Sequence, residues 1–336
     1  MIYRYSRQTI VPVIGEEGQK KLRRSTAVVI GCGALGTVIS SALVRAGIGQ
    51  VKIVDRDFIE YHNLQRQILF DEDDIKNNLP KAIAAEKHLR KINSEVEVQG
   101  IVADVNYTNI ERFVQGTDII LDGLDNLETR FLINDVSLKQ NIPWVYGGAI
   151  STMGMTMTII PHQTACYRCI VPGENRGGRI LTCDTAGVLG PATWVIASLQ
   201  SIEALKILVG DTSINRDLIV VDVWQDDFQH LKIGPLGNCP ACRGQYEFLE
   251  GKFSTSATSL CGQNSVQVLG PPGGTISFED LARRLKPLGE VSYNEFMLLF
   301  KTDSQEIMVF PDARAIVKNT TDQAFAKGIY SKYIGT

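Results

Sequence analysis

A short apolar run, Val28-Val29-Ile30, leads straight into G-C-G-A-L-G at residues 31–36. A chain that does this is set to build a strand, a tight turn and a helix in that order. Gly31 permits the turn, Gly33 lets the backbone come close to a phosphate, and Gly36 lets the helix approach the strand. The helix then carries Leu35, Val38, Ile39, Ala42, Leu43 and Ala46 on one face and stops at Gly47. Its N-terminus attracts negative charge. Taken alone, the motif marks a phosphate site and favours a dinucleotide-dependent oxidoreductase. A purely structural tight turn is the plainer alternative.

The rest of the chain repeats that alternation. The run "QVKIVD" is a second strand, and Pro80 with Ala82, Ala85, Leu89 and Ile92 signals a second helix. Then come "EVEVQGIVA", the buried strand "DIILDGLD", a helix from about Glu128, and "IPWVYGGAI". Such βαβαβ order predicts an α/β fold, a doubly wound and mainly parallel Rossmann-like sheet. "GMTMTIIP" and "DLIVVDVW", with a helix from about Ala192 to Leu208 between them, extend this domain through residues 1–250. The Ser/Thr-rich stretch at residues 251–262 reads as a linker. Residues 263–336 then read as a small α+β domain: "NSVQVLG", a helix at "FEDLARRLKPLG", two strands "NEFMLLFK" and "EIMVFPDARAIVK", and a helix at "TDQAFAKGIYSKYIG". No recognisable chemistry falls in it.

Charge and cysteine usage narrow the class of partner. With 34 Lys+Arg against 37 Asp+Glu and no basic run, neither a nucleic acid nor a membrane surface is expected as a partner. The N-terminus lacks the charged start and apolar core of an export signal, so a cytoplasmic protein is expected. Seven cysteines in such a chain point to metal or catalytic thiols rather than disulfides.

Residues beyond the first ribose-binding position shift the reading away from hydride transfer. Asp55 ends the second strand, where a ribose hydroxyl is held, and ATP carries a ribose just as NAD does. The following "DRDFIEYHNLQRQ" supplies Asn63, Arg66 and Gln67, and Lys81 opens the next helix. Hydride transfer has no need of several cations over a triphosphate, whereas displacement at phosphorus does. Singly, each has an ordinary explanation: Arg66 a surface ion pair, Lys81 a solvated first-turn lysine, Asn63 a helix cap. In "LDGLDN", Asp125 stands where a carboxylate takes part in holding Mg2+ against phosphate oxygens, while Asp122 and Asn126 also fit capping roles. A glycine turn, two cations and a carboxylate describe Mg-ATP better than NAD.

The pairs "CYRC" and "CPAC" place Cys166, Cys169, Cys239 and Cys242 as two C-x-x-C knuckles. Four thiolates close a tetrahedral site around zinc and leave no open position, so the expected role is structural. A redox C-x-x-C is the rival reading, and no thioredoxin-like context supports it.

From about residue 3 to residue 245 the ordered motifs "RYSRQ", "GCGALG", "DRDFIEYHNLQRQ", Pro80-Lys81, "LDGLDN", "CYRC", "LTCDTAGVLGP" and "CPAC" resemble the MoeB/ThiF adenylyltransferases, cousins of the ubiquitin-activating enzymes. Longer bacterial members look similar across the C-terminal extension too. The resemblance implies a homodimer that binds Mg-ATP and adenylates the terminal Gly-Gly carboxylate of a small ubiquitin-like sulfur carrier. Pyrophosphate leaves, and the pathway is molybdopterin or thiamine synthesis. It places Gly33, Asp55, Asn63, Arg66, Lys81 and Asp125 at the nucleotide, with Gln67 and Asn126 beside them, and has Arg7 reach the opposite subunit's site. Ala34 departs from the glycine many relatives have there, and alanine still permits helical backbone. In relatives that pass the carrier onward, to chemistry fed by a sulfur donor such as a cysteine desulfurase or rhodanese, a cysteine at the place of Cys183 is the acceptor. Around it Arg176 and Arg179 would lower a thiol pKa. A small residue tucked under a loop is the alternative for Cys183. Two other functions stay open: an NAD-dependent oxidoreductase with structural zinc, and a non-catalytic binder of a ubiquitin-like tail. His62, His88, His162 and His230 read as incidental.

Overall fold

The computed structural model describes residues 3–171, 186–253, 257–260, 264–271, 274–302 and 305–335. The chain divides into two compact units, Met1–Phe253 and Ser254–Thr336. In the first, eight strands share one sheet: β1 (Thr26–Ile30), β2 (Gln50–Asp55), β3 (Glu97–Val102), β4 (Ile119–Asp122), β5 (Trp144–Ile150), β6 (Met153–Ile159), β7 (Leu218–Asp222) and β8 (Asp227–Leu231). Their order is β3-β2-β1-β4-β5-β6-β7-β8. The first five pair in parallel, and β6, β7 and β8 add on antiparallel. Because β1 has β2 on one side and β4 on the other, the connections reverse there, which opens a crevice at the carboxyl ends of β1 and β4.

The helices of this unit are α1 (Ser6–Thr9), α2 (Gly15–Arg24), α3 (Ala34–Ala46), α4 (Glu72–Lys76), α5 (Lys81–Ile92), α6 (Ile110–Val114), α7 (Leu127–Gln140), α8 (Tyr167–Ile170) and α9 (Gly190–Val209). Alternation along β1 sends Ala27 and Val29 into one core and Val28 and Ile30 into the other, each side chain fully buried. A strand buried on both faces reads as an unbroken apolar run, which is why "AVVI" was legible as a strand. The first core joins Leu35, Ile39 and Leu43 of α3, Ala85 and Leu89 of α5, and Ile196 and Ala204 of α9. The second joins Phe131, Ile133 and Val136 of α7 with Trp144, Tyr167 and the cysteine knuckles. Helix α9 is long and apolar enough to cross a membrane by length and composition, but more than half of it is buried inside the fold.

The second unit has its own sheet of β9 (Ala257–Leu260), β10 (Ser265–Val268), β11 (Glu290–Tyr293), β12 (Leu298–Lys301), β13 (Glu306–Val309) and β14 (Ala315–Lys318). Helices α10 (Phe278–Leu285) and α11 (Gln323–Tyr333) share its core with Phe300, Ile307 and Val317. Two expectations need correction here. The stretch 251–262, expected to be a linker, contains β9, which pairs antiparallel with β10. An edge strand is held by its neighbour's backbone, so a polar Thr/Ser sequence does not betray it. The run "EIMVFPDARAIVK", expected as one strand, is a hairpin of β13 and β14. Ala313 takes the left-handed φ of 66° and donates its N–H to Phe310 O at 3.0 Å, reversing the chain.

Candidate nucleotide site and cysteine centre

The glycine turn lies at the crevice. Gly31 has φ +91°, and a Cβ there would meet Gly123 O at 2.6 Å, so the residue must be glycine on both counts. Its N–H donates to Val54 O and that of Gly123 to Ile30 O, both at 2.8 Å, which ties the ends of β1, β2 and β4 together. Gly33 differs: a Cβ there would have no neighbour closer than 3.8 Å, and one of the two at that distance is Gln67 Nε2. The backbone is therefore bare at the position expected to face phosphate. The amide of Gln67 stands beside it, 4 % exposed, with its Oε1 lacking a partner among the described residues.

Buried charges surround the turn. The two oxygens of Asp55 accept the N–H of Cys32 at 2.6 Å and of Asp57 at 2.7 Å, so its carboxylate is fixed beside the turn. Burial pushes the Asp55 carboxyl above its ordinary value, against the pull of Lys81. Lys81, 6 % exposed, donates to Asp57 Oδ2 at 3.3 Å. Burial alone would lower its pKa, but the carboxylates of Asp57, Asp55 and Asp125 outweigh that and hold the ammonium above the ordinary lysine value. Arg56, paired with Asp104 at 2.6 Å, also feels Asp125. Asp125 itself is exposed three residues past β4, near enough to both cations to act on them and open to solvent on its other side.

The other expected residues fall in two groups. Asn63, buried, spends its Oδ1 on the N–H of Glu60, and Asn126 spends its own on the N–H of Thr129 as the N-cap of α7. Asn126 is thus a helix cap, whereas Asn63 closes a short 3-10 turn, Tyr61–Asn63, from its last position. Arg66 is half-buried, donates to His62 O at 2.7 Å, and is anchored through its carbonyl by Trp194 Nε1 at 2.9 Å. Arg7 is exposed on α1, and its neighbour Gln8 bonds Ala46 O, the last residue of α3. The glycine turn is at the opposite end of that 13-residue helix, about 20 Å away. Cys183 lies outside the described residues.

Several residues that hold the site together were not anticipated. Asp57 stands in the quoted "DRD", but nothing in a sequence says which acid will face Lys81. Asp122, expected as a cap, is instead fully buried against Arg130 Nε at 2.9 Å, and it also takes the N–H of Leu124 at 2.9 Å. Gln200 of α9 reaches the carbonyls of Asp122 and Val145 at 2.9 and 3.1 Å.

Against the middle of α7 the four sulfurs converge. Cys166 and Cys169 are 3.8 Å apart, Cys166 and Cys239 3.5 Å, and Cys169 and Cys242 3.6 Å, with all four within 4.8 Å of one another. Four thiolates at about 2.3 Å from a tetrahedral zinc would stand about 3.8 Å apart, while a disulfide needs about 2 Å. The donor set and spacing thus fit zinc and not a bridge. Burial and the neighbouring sulfurs push Cys166 far up, and burial pushes Cys242 up to about 12, so without a metal both stay neutral thiols. Burial raises Cys169 as well, but the N–H of Leu236, donated to its sulfur at 3.3 Å, helps bring it below the usual thiol value.

A doubly wound sheet with a glycine turn, a buried lysine and clustered carboxylates at its switch point, plus a four-cysteine centre, defines a Rossmann-like nucleotide-binding protein with a metal-type knuckle pair. The sequence model of the ThiF family matches residues 5–241, and the chain belongs to that family. It is 42% identical over 339 aligned positions to "Sulfur carrier protein ThiS adenylyltransferase" of Bacillus subtilis, covering 100% of both chains. It is 34% identical to the protein of that name from Escherichia coli, covering 72% of this chain and 95% of that one. The "SAMP-activating enzyme E1" of Haloferax volcanii is 35% identical over 71% of this chain and 88% of its own. Among solved structures, E. coli MccB with ATP superposes with a TM-score of 0.62 at 26% identity, covering 71% of this chain and 74% of that chain.

Proposed function

We propose that this chain adenylates the C-terminal glycine carboxylate of a small ubiquitin-like sulfur carrier, in thiamine or molybdopterin sulfur transfer. The observation that carries the reading is the glycine turn faced by a buried Lys81 among Asp55, Asp57 and Asp125, in a chain 42% identical end to end to a ThiS adenylyltransferase. A carboxylate oxygen of the carrier attacks the α-phosphorus of ATP. The bond from that phosphorus to the bridging oxygen breaks, and pyrophosphate leaves. The attacking carboxylate is already ionised at neutral pH, so no protein base is needed. The work left to the protein is positioning and charge neutralisation.

In this reading Gly33 offers bare backbone N–H to phosphate, Gln67 adds its amide, Asp55 and Asn63 hold the sugar end, and Lys81 and Arg66 neutralise the polyphosphate. Asp125 would hold Mg2+, which supplies charge stabilisation on the phosphate oxygens. Cys166, Cys169, Cys239 and Cys242 would hold a structural zinc, which a reducing cytoplasm permits. Arg7 is about one helix length from its own site, which favours action on a second subunit's nucleotide in a homodimer. An Arg7→Ala chain mixed with a Lys81→Ala chain then regains activity, and a verified heterodimer that stays inactive removes the claim. Cys183 is assigned as acceptor for the activated carrier, downstream of a sulfur donor of the desulfurase or rhodanese type. Unchanged sulfur transfer in Cys183→Ser would reduce it to a structural residue. The direct test of the main reading is ATP–pyrophosphate exchange with each ubiquitin-like carrier of the same organism. Exchange that needs a carrier supports it. A thermal shift with NAD and none with ATP favours the oxidoreductase instead, and ATP binding without exchange favours a mere binder.

A further inference from the structure

One helix runs from the nucleotide site to the cysteine centre. Helix α7 begins at Asn126, whose side chain caps it, and the residue before that cap is Asp125. One turn on, Arg130 is locked to Asp122 at 2.9 Å and to Gly147 O at 2.8 Å, and it also reaches Leu124 O, so it fixes the very loop that presents Asp125. The next turn holds both knuckles. Asn134 Oδ1 accepts the N–H of Tyr167, directly after Cys166, at 2.8 Å. Asp135 Oδ2 accepts the N–H of Phe248 at 2.9 Å, fixing the segment that follows Cys242. Phe131 stacks on Phe248 at 4.7 Å between ring centroids and meets Tyr167 at 5.3 Å. The helix is buried at every residue from Arg130 to Leu138, so it can hardly bend or slide between these two grips.

We propose that Asn134 and Asp135 are positioning residues for Asp125: the cysteine centre, gripped by these two side chains, sets the axial position of α7 and thereby where Asp125 meets magnesium. The proposal rests on the adenylation reading, because it assigns Asp125 to the metal of Mg-ATP. Two buried polar side chains in succession on a helix, both turned to backbone N–H groups of the knuckle segments, make a specific clamp. Apolar packing would have sufficed to bury the same face.

The test uses calorimetric binding of a non-hydrolysable ATP analogue to the full chain, with and without added Mg2+, and zinc content measured in each preparation. Asp135→Leu and Asn134→Ala should each weaken the Mg2+-dependent affinity about tenfold, as a misplaced ligand does, and leave affinity in magnesium-free buffer unchanged. Asp135→Asn keeps an acceptor for the Phe248 N–H and should restore the magnesium-dependent affinity. In an Asp125→Asn background, Asp135→Leu should have no further effect. Unchanged magnesium-dependent affinity, equal losses with and without Mg2+, or a full additional loss in the Asp125→Asn background each overturn the proposal. If Asp135→Leu does not fold, Asn134→Ala, which loses one hydrogen bond, carries the same comparison. Failure of the wild-type chain to bind Mg-ATP at all would strike the adenylation reading itself, and so is distinguishable.

Discussion

The glycine-turn site, whose Asp125 immediately precedes the cap of α7, and the cysteine centre, which packs on α7, both gather titratable groups, yet they treat them in opposite ways. Around the turn, Lys81 is buried among Asp55, Asp57 and Asp125, and the nearby Gly33 is left bare. Opposite charges there stabilise one another, and the Asp125 carboxylate is left exposed to solvent. At the cysteine centre four like sulfurs lie within 4.8 Å of one another, with the Leu236 N–H donating to one of them, Cys169. A cation at their centre would favour the thiolates that burial disfavours at Cys166 and Cys242. An open site takes a substrate and releases it, and a closed one takes a metal and keeps it.

That contrast can be broken first at the open end. Lys81→Ala or Asp125→Ala should lower carrier-dependent ATP–pyrophosphate exchange at least about a hundredfold while the fold and zinc content remain. Either variant retaining full exchange would show that the charges around the turn are structural. At the closed end the effect should appear in stability. Metal analysis should find zinc equal to chain number, and Cys239→Ser or chelation should cost on the order of 3 kcal/mol or more in chemical denaturation. A metal-free preparation of undiminished stability would make the four cysteines a simple buried cluster.

A smaller effect sharpens the comparison at the helix between them. Burial, the largest cause, raises the Asp135 carboxyl to about 6 in the folded chain. The folded state therefore holds a proton that the unfolded chain, near 3.9, has released. Stability relative to Asp135→Asn should fall as pH rises, by about 1 kcal/mol between pH 5 and 7. Denaturation curves at matched zinc occupancy would show it, and parallel pH profiles for the two proteins would contradict it.

How much of this was legible depended on the period of the signal. The turn, β1 and α3 were plain because local rules and burial agreed: apolar residues on both faces of "AVVI", glycines where the backbone needs them, Gly47 at the helix end. The cysteine quartet was plain because two C-x-x-C pairs have few uses, although the roughly seventy residues between them say nothing about what brings them together. The hydrogen bonds that Asn134 and Asp135 accept from the two knuckle segments were unreadable. An Asn-Asp pair in a helix that also carries Glu128, Arg130, Ser137 and Lys139 looks like part of a solvent face until Tyr167 and Phe248 are seen to meet it. Asp57 was hidden for the same reason, since only the fold selects it from the acids of "DRDFIE" as the partner of Lys81. Strand β9 was missed because its order comes from β10 rather than from its own residues.

The central claim is attack at the α-phosphorus by a carrier carboxylate, and isotope position tests it most directly. The chain would be incubated with Mg2+, a ubiquitin-like carrier ending in Gly-Gly, and ATP labelled at either the α- or the γ-phosphate. The α-label should appear on the carrier's terminal glycine while the γ-label is recovered in pyrophosphate. A γ-label on the carrier, or γ-label recovered as free phosphate with the carrier unmodified, would contradict it.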